Sequence, residues 1–326
     1  MVDVLVLTFY DFANTGWRFS KLIESLGYEV KMFKGHPHEY NYPIQAEIFK
    51  PLSKCKRLSN YPFIYHCPEL APWVEEARVI HFTSSTFIST GVDLSNKKIV
   101  INHGGSTFRQ NPARVNHALS KLQIDYSIIQ CPDLLGLGAQ NEVLIYYPVQ
   151  TDWLLPDFEK KGEKIVFGHF PSNPDNKGTS TIIKTLRKLG DGFEYIGVDN
   201  AVREITNWTD HLDNIRKCDV IIETICPRQK GKRFGEFGNT AFEAAALGKI
   251  VITNTWNREL YEREYGDLAL HIANDGDQLE ARIREILEMN DDDLLSAKKK
   301  HRDWVVRNHS MEATAERLKD KVYGLL

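Results

Sequence analysis

Short, nearly continuous apolar runs recur along the chain, with amphipathic stretches between them. The first is "VDVLVLTF" at 2–9, followed by "GWRFSKLIESLG" at 16–27, where Gly27 has the place of a helix C-cap. "YEVKMF" (28–33), "ARVIHF" (77–82), "KKIVINH" (97–103), "DYSIIQ" (125–130) and "EVLIYYP" (142–148) continue the series. Runs that are apolar at successive positions, rather than at alternate ones, suit strands covered on both faces, as in a parallel sheet. Their alternation with helical stretches predicts a doubly wound α/β domain.

The pattern breaks at "VQTDWLLPDFEKKGE" (149–163), where Pro156 and a charged run predict a linker. It then starts afresh: "KIVFGHF" (164–170), a helix over 178–189, "FEYIGV" (193–198), a helix near 209–217, "DVIIETI" (219–225), "KIVITN" (249–254) and "LALHIA" (268–273). From 277 onward the pattern is helical. Two Rossmann-like units facing each other would place a ligand cleft at the carboxyl ends of their strands.

Composition adds exclusions. The 326 residues are 42% hydrophobic and 26% charged, as in ordinary globular proteins. No apolar run reaches the ~18–20 residues that span a bilayer. "MVDVLVLTFYDF" lacks a basic n-region and reads as a strand, which points to the cytoplasm. Cys55, Cys67, Cys131, Cys218 and Cys226 show no CxxC pair or metal-ligand spacing, and the expectation is reduced structural thiols. A net charge of −3 does not suit a general polyanion binder, but residues 31–57 carry Lys31, Lys34, Lys50, Lys54, Lys56 and Arg57 against Glu39 and Glu47. That stretch is either a solvated loop or a contact for an anionic acceptor or a membrane surface.

Four places carry candidate chemistry. In "FGNTAFEAAALG" (237–248), Asn239 or Thr240 is expected to cap a short helix preceded by Gly238. Backbone N–H groups at a helix start bind anions, and glycine lets a phosphate come close. Glu243, one turn in, either accepts hydrogen bonds from a ribose diol or merely complements the helix N-terminus. "GHFPSNPDNKG" (168–178) runs from a strand into a helix and ends in Lys177, a point charge for phosphates or a solvated lysine. "INHGGS" (101–106) puts His103 and Gly104 at a strand end, the histidine being either a cleft residue or a structural one. "FANTGWRFS" (12–20) puts Gly16 in the first β–α loop. GxGxxG, Walker A, HExxH and GxSxG are absent, and no nucleic-acid module is recognisable.

In this order and spacing the four places resemble the GT-B glycosyltransferases, specifically the retaining group-1 (GT4-type) family. "FGNTAFEAAALGKIVIT" resembles the family's FG-x-x-x-x-E-A-x-A-x-G-x-P-V-I segment, with Ile250 in place of the proline. "GHFPSNPDNKGT" resembles a donor-phosphate loop, "INHGGS" the HGS turn, and "YYPVQTDWLLP" the linker. The resemblance covers most of the chain. It implies an α/β, GT-B architecture: an acceptor-binding domain over 1–152, a linker over 153–163, a nucleotide-sugar domain over 164–300, and a C-terminal helix over 301–326 crossing back.

It further implies that Glu243 holds the ribose, Lys177 the phosphates, and that His103 lies by the donor sugar with Gly16 beneath the pyrophosphate. The family arginine five residues before the lysine is Ser172 here, with His169 nearby, so Arg228, Lys230, Lys232 or Arg233 would supply the missing charge. The first glutamate of E-x7-E falls on Gly235, with Glu236 one place late. The implied reaction moves a sugar from a nucleoside-diphosphate sugar, UDP- or GDP-linked, to a hydroxyl with retention of configuration and no metal or other cofactor. The alternatives are a non-catalytic sugar-nucleotide or glycan binder, a sugar-nucleotide epimerase, and a transferase acting on a polyanion such as modified DNA or a cell-wall polymer.

Overall fold

A computed structural model describes residues 2–36, 38, 40–42, 56–84, 86–199, 207–229 and 231–326, without the side chains of Pro62, Gln229 and Arg233. Glu39, Glu47, Lys50, Lys54 and Cys55 of the basic stretch lie outside the described residues, as does Lys230. The chain forms two compact units, one of Met1–Pro148 with Met311–Leu326 and the other of Val149–Ser310.

Unit 1 is built on a six-stranded parallel sheet. Its order is Val30–His36, Val4–Tyr10, Val79–Phe82, Lys98–His103, Tyr126–Ile129, Glu142–Leu144. The continuous apolar runs have a direct cause. Leu5, Leu7, Phe9, Ile80, Phe82, Ile99 and Ile101 pack into a core on one face. The alternate residues Val4, Val6, Val79 and Val100 pack into a second core on the other. That second core takes in the Thr15–Ser25 helix through Trp17, Phe19, Leu22 and Ile23, and the Met311–Lys321 segment through Ala315 and Leu318. Beyond that helix, Tyr323 reaches the sheet: His81 Nε2–H donates to Asn102 Oδ1 at 2.7 Å and its Nδ1 accepts from the Tyr323 hydroxyl at 2.8 Å. A separate three-stranded sheet of Lys56–Leu58, Tyr61–His66 and Phe87–Ser89 was not expected from the sequence. Cys67, next after the Tyr61–His66 strand, is disulfide-bonded, while Cys131, Cys218 and Cys226 are free. This corrects the expectation of reduced thiols throughout, because pairing depends on proximity in space and not on CxxC-type spacing.

Unit 2 has a five-stranded parallel sheet in the order Glu194–Gly197, Val166–His169, Val220–Thr224, Ile250–Thr253, His271–Ile272. Phe167, Val220, Ile222, Ile250 and Ile252 share a core with the helices Thr179–Leu189 and Gly276–Leu287. The Ala-rich helix Asn239–Ala246 packs against the long helix Asp291–His309, with the Phe242 and Trp304 rings stacked. The 149–163 stretch is fastened to unit 2 by cations that donate to its carbonyls. Arg302 holds Thr151 at 2.7 Å and Leu154 at 2.8 Å, Lys249 holds Asp157 at 3.1 Å, and Lys298 holds Phe158 and Glu159 at 3.3 and 3.1 Å. Arg302 also caps the Ala246 carbonyl, a cation at a helix C-terminus.

Candidate functional site

In an open parallel sheet, ligands bind where the strand order reverses, beyond the carboxyl ends of the strands. In unit 2 that point lies between Val166–His169 and Val220–Thr224. The loop from the first of these leads through Ser172, which is exposed, into the short helix Pro174–Lys177. Gly178 follows at φ +71°, and a Cβ there would stand 2.4 Å from the Ile225 carbonyl oxygen, so only glycine closes the turn. The Ile225 N–H donates to the Lys177 carbonyl at 3.0 Å, which ties the loop to the neighbouring strand end.

The Lys177 ammonium is ion-paired with Glu223, whose other oxygen accepts from the Thr253 hydroxyl at 2.9 Å. A Cβ built on Gly238 would lie 3.3 Å from Glu223 Oε1 and 3.5 Å from Lys177 Nζ. The lysine, the buried glutamate and the start of the Asn239–Ala246 helix therefore converge. Gly238 itself is the N-cap, with no side-chain cap bond, which corrects the expected capping by Asn239 or Thr240. Those two residues open the helix, and an α-helix has no internal acceptor for its first N–H groups. Asn254, at the next strand end, donates no hydrogen bond from its buried Nδ2 among the described residues.

Glu243 is buried one turn in. Its Oε1 accepts from the Trp208 indole N–H at 2.8 Å, and its Oε2 lies 3.9 Å from His211 Nε2, which is 3.4 Å from the Thr240 hydroxyl. Burial lowers the His211 pKa, and Glu243 opposes that shift. Glu236 is also buried and accepts a hydrogen bond from the Thr255 hydroxyl. Gly235 beside it has φ +56° and open space where a Cβ would be. Upstream, Arg228–Gln229 and Lys232–Arg233 pair as an antiparallel hairpin around Gly231, with Arg228 and Lys232 exposed.

His169 is no phosphate contact. It is fully buried, its Nδ1–H donates to the Ile222 carbonyl at 2.7 Å, and its Nε2 accepts from Thr179 Oγ1 at 2.9 Å. Burial lowers its pKa to about 4.

In unit 1 the strand order reverses between Val4–Tyr10 and Val79–Phe82. Gly16 lies in the first turn of the Thr15–Ser25 helix, where its N–H donates to Asp11 Oδ1 at 2.6 Å. A Cβ on Gly16 would meet Met32 Cε at 2.8 Å and both Asp11 Oδ1 and Thr83 Oγ1 at 3.2 Å. The group that approaches this glycine is thus the protein's own carboxylate. Asp11 is buried, and desolvation raises its pKa against the pull of Lys34. Asn14 Oδ1 and Thr83 Oγ1 are buried at the same edge without a partner among the described residues. His103, at the end of Lys98–His103, is buried against Phe108 with ring centroids 4.1 Å apart, and burial lowers its pKa to about 3, so the imidazole is neutral. A Cβ on Gly104 would meet the Tyr147 hydroxyl at 2.7 Å and Gln130 Oε1 at 2.8 Å, which explains the glycine.

The structure brings Lys177, Gly238, Asn239, Thr240 and Glu243 together in unit 2, whereas Gly16, His103 and Gly104 belong to unit 1. Trp208, His211, Glu223, Thr253 and Asp11 were not singled out from the sequence. The one signal on offer was an acidic residue inside the apolar run "DVIIETI".

The architecture is the GT-B fold, two Rossmann-like domains in one chain. Among solved structures the chain is similar to HepE of Anabaena in complex with UDP and glucose, at 12% identity and TM-score 0.70, over 99% of this chain and 100% of that one. It is similar to sucrose-phosphate synthase of Thermosynechococcus elongatus at 14% identity and TM-score 0.60, over 100% and 99% of the two chains. An alpha-glucosyltransferase in complex with UDP-glucose and DNA containing an abasic site matches at 10% identity and TM-score 0.63, over 98% and 99%. No family model and no curated protein matches the sequence.

Proposed function

We propose that the protein is a glycosyltransferase that moves a sugar from a nucleoside-diphosphate sugar to an acceptor hydroxyl. The observation that carries this reading is the meeting of Lys177 with the helix start at Gly238, a glycine N-cap at the sheet's reversal point, with the Glu243 carboxylate one turn further on. The lysine and the helix N–H groups suit a diphosphate. Glu243, fixed through Oε1 by Trp208, suits a ribose diol. The UDP, glucose and UDP-glucose bound by fold relatives agree with this class of ligand.

In the reaction, the bond between the anomeric carbon and the phosphate oxygen breaks, and the diphosphate leaves with the electron pair. The acceptor oxygen bonds to the anomeric carbon and gives its proton to the departing phosphate, with retention as the family resemblance implies. Donors already aimed at the phosphate lower the barrier as its charge builds. Neutral His103 can hydrogen-bond a sugar hydroxyl without adding charge. Arg228 and Lys232 supply positive charge in place of the arginine replaced by Ser172, and Glu236 takes the sugar-facing role that Gly235 cannot.

A thermal-shift series with UDP, GDP, ADP, TDP and CDP tests the reading, since a ligand that binds only the folded state raises the midpoint. A rise with at least one of them, lost in Lys177→Ala, is expected. No shift with any of the five refutes it.

A further inference from the structure

We propose that Glu223 is a positioning residue, which pins the Lys177 ammonium at the start of the Asn239–Ala246 helix while Thr253 holds the carboxylate in place. The functional half of this proposal rests on the reading of Lys177 as a diphosphate ligand.

Glu223 stands in the Val220–Thr224 strand, whose other members are apolar or Thr. An ionised carboxylate in a sheet core is costly unless it is paired and hydrogen-bonded. Both conditions are met: one oxygen takes Lys177 and the other takes the Thr253 hydroxyl from the adjacent strand. The pair is lopsided. The Glu223 side chain is 1% exposed and that of Lys177 is 24% exposed, so the cation is the end that faces outward. An ammonium has three N–H donors, and Glu223 is the one side-chain acceptor Lys177 meets among the described residues. Among the described residues nothing takes its other N–H donors, which suit an incoming anion.

Two consequences follow. Lysine carries high rotamer entropy, and a side chain fixed before the ligand arrives has less to lose on binding. Second, the pair is electrically neutral, so Lys177 contributes directed donors more than net positive charge. Glu223→Gln keeps the shape but replaces the charge-assisted bond to Lys177 with a weaker neutral one, and it removes a negative charge near the anion site. The gain in net positive charge offsets the looser lysine, so UDP binds as tightly as before, or several-fold tighter. Turnover falls instead, by about tenfold to a hundredfold, the scale of a misplaced catalytic contact. A fold-specifying ion pair alone would change stability and leave this split untouched.

The test compares wild type with Glu223→Gln, Thr253→Val and Thr253→Ser, in two measurements. The first is the acetylation rate of Lys177 in the ligand-free protein, followed by mass spectrometry. It is expected to rise several-fold in Glu223→Gln and Thr253→Val and to return to the wild-type rate in Thr253→Ser. The second is the Kd for UDP together with the kcat for UDP release from UDP-glucose. Unchanged Lys177 labelling in both Glu223→Gln and Thr253→Val overturns the proposal. So does a kcat equal to wild type in variants whose labelling has risen. Faster labelling combined with no UDP binding by wild type retires the nucleotide reading and leaves the pinning of Lys177 established. Should Glu223→Gln fail to fold, Thr253→Val, which removes one buried hydroxyl at nearly constant shape, carries both measurements.

Discussion

Glu243→Ala should separate ribose from deoxyribose, and its effect can be sized from the site. The carboxylate is 2% exposed and fixed through Oε1 by the Trp208 N–H at 2.8 Å. A hydrogen bond to a charged group contributes about 1.5–3 kcal/mol. If Glu243 grips the ribose, removing it weakens UDP binding by that amount, roughly 10- to 150-fold. The same substitution should barely affect 2′,3′-dideoxy-UDP, which lacks the diol. Calorimetric titration of both ligands into both proteins closes a thermodynamic cycle, and its coupling energy is the ribose contact itself. Trp208→Phe serves as a control: it leaves the carboxylate but frees its orientation, so part of the discrimination should go. Equal weakening of UDP and the dideoxy analogue in Glu243→Ala refutes the reasoning and leaves Glu243 as an anchor for Trp208 only.

Three further outcomes are expected. His169 stays neutral down to about pH 4 in the folded protein but protonates near 6.5 when unfolded, so between those values the unfolded chain binds more protons and stability falls as pH drops. The full gap is worth about 3 kcal/mol; urea midpoints at pH 7.5 and 5 should converge in His169→Gln by more than half of it, and equal pH loss in both proteins would contradict this. Lys298→Met removes the partner of Asp219 from a fully buried pair at 2.8 Å and should cost about 3–5 kcal/mol in urea unfolding; a loss below ~1 kcal/mol would show the pair to be dispensable. Gly178→Ala forces a side chain into left-handed backbone and against the Ile225 carbonyl; it should cost more than ~2 kcal/mol and abolish the UDP-induced thermal shift, and a wild-type shift would refute the link between that turn and Lys177.

The sheets were legible because strands buried on both faces carry apolar residues at successive positions, as at 4–7, 99–101 and 220–222. The three-stranded sheet was not, since Lys56–Leu58 is exposed and carries no apolar period. Gly16, Gly104 and Gly178 were readable as places of close approach, but the sequence does not name what approaches. At Gly16 it is Asp11 and Met32, and at Gly104 it is Tyr147 and Gln130. His169 looked close to the phosphate loop because it precedes it in sequence, yet its ring bonds to Ile222 and Thr179 within the fold. Glu223 escaped notice for the opposite reason: it lies 46 residues from Lys177, and they meet only because the strand that leads into the Lys177 helix, Val166–His169, pairs with the strand that carries Glu223. Lys249 follows the same rule, a cation in an apolar run whose carbonyl partners lie at Asp157 and Arg216.

Unit 1 is discontinuous in sequence, and this bears on how the chain is made. Trp17, Phe19 and Leu22 leave the ribosome early, but Ala315, Leu318 and Tyr323, which share their core, are synthesised only after all of unit 2. Throughout that interval His81 lacks the hydroxyl it accepts from, and an apolar helix face stays bare. A chain cut short after Ser310 should therefore show unit 2 resistant to protease and unit 1 still cleavable, the reverse of the usual N-terminal-first order. A circular permutant that joins Met311–Leu326 directly ahead of residue 1 would remove the delay.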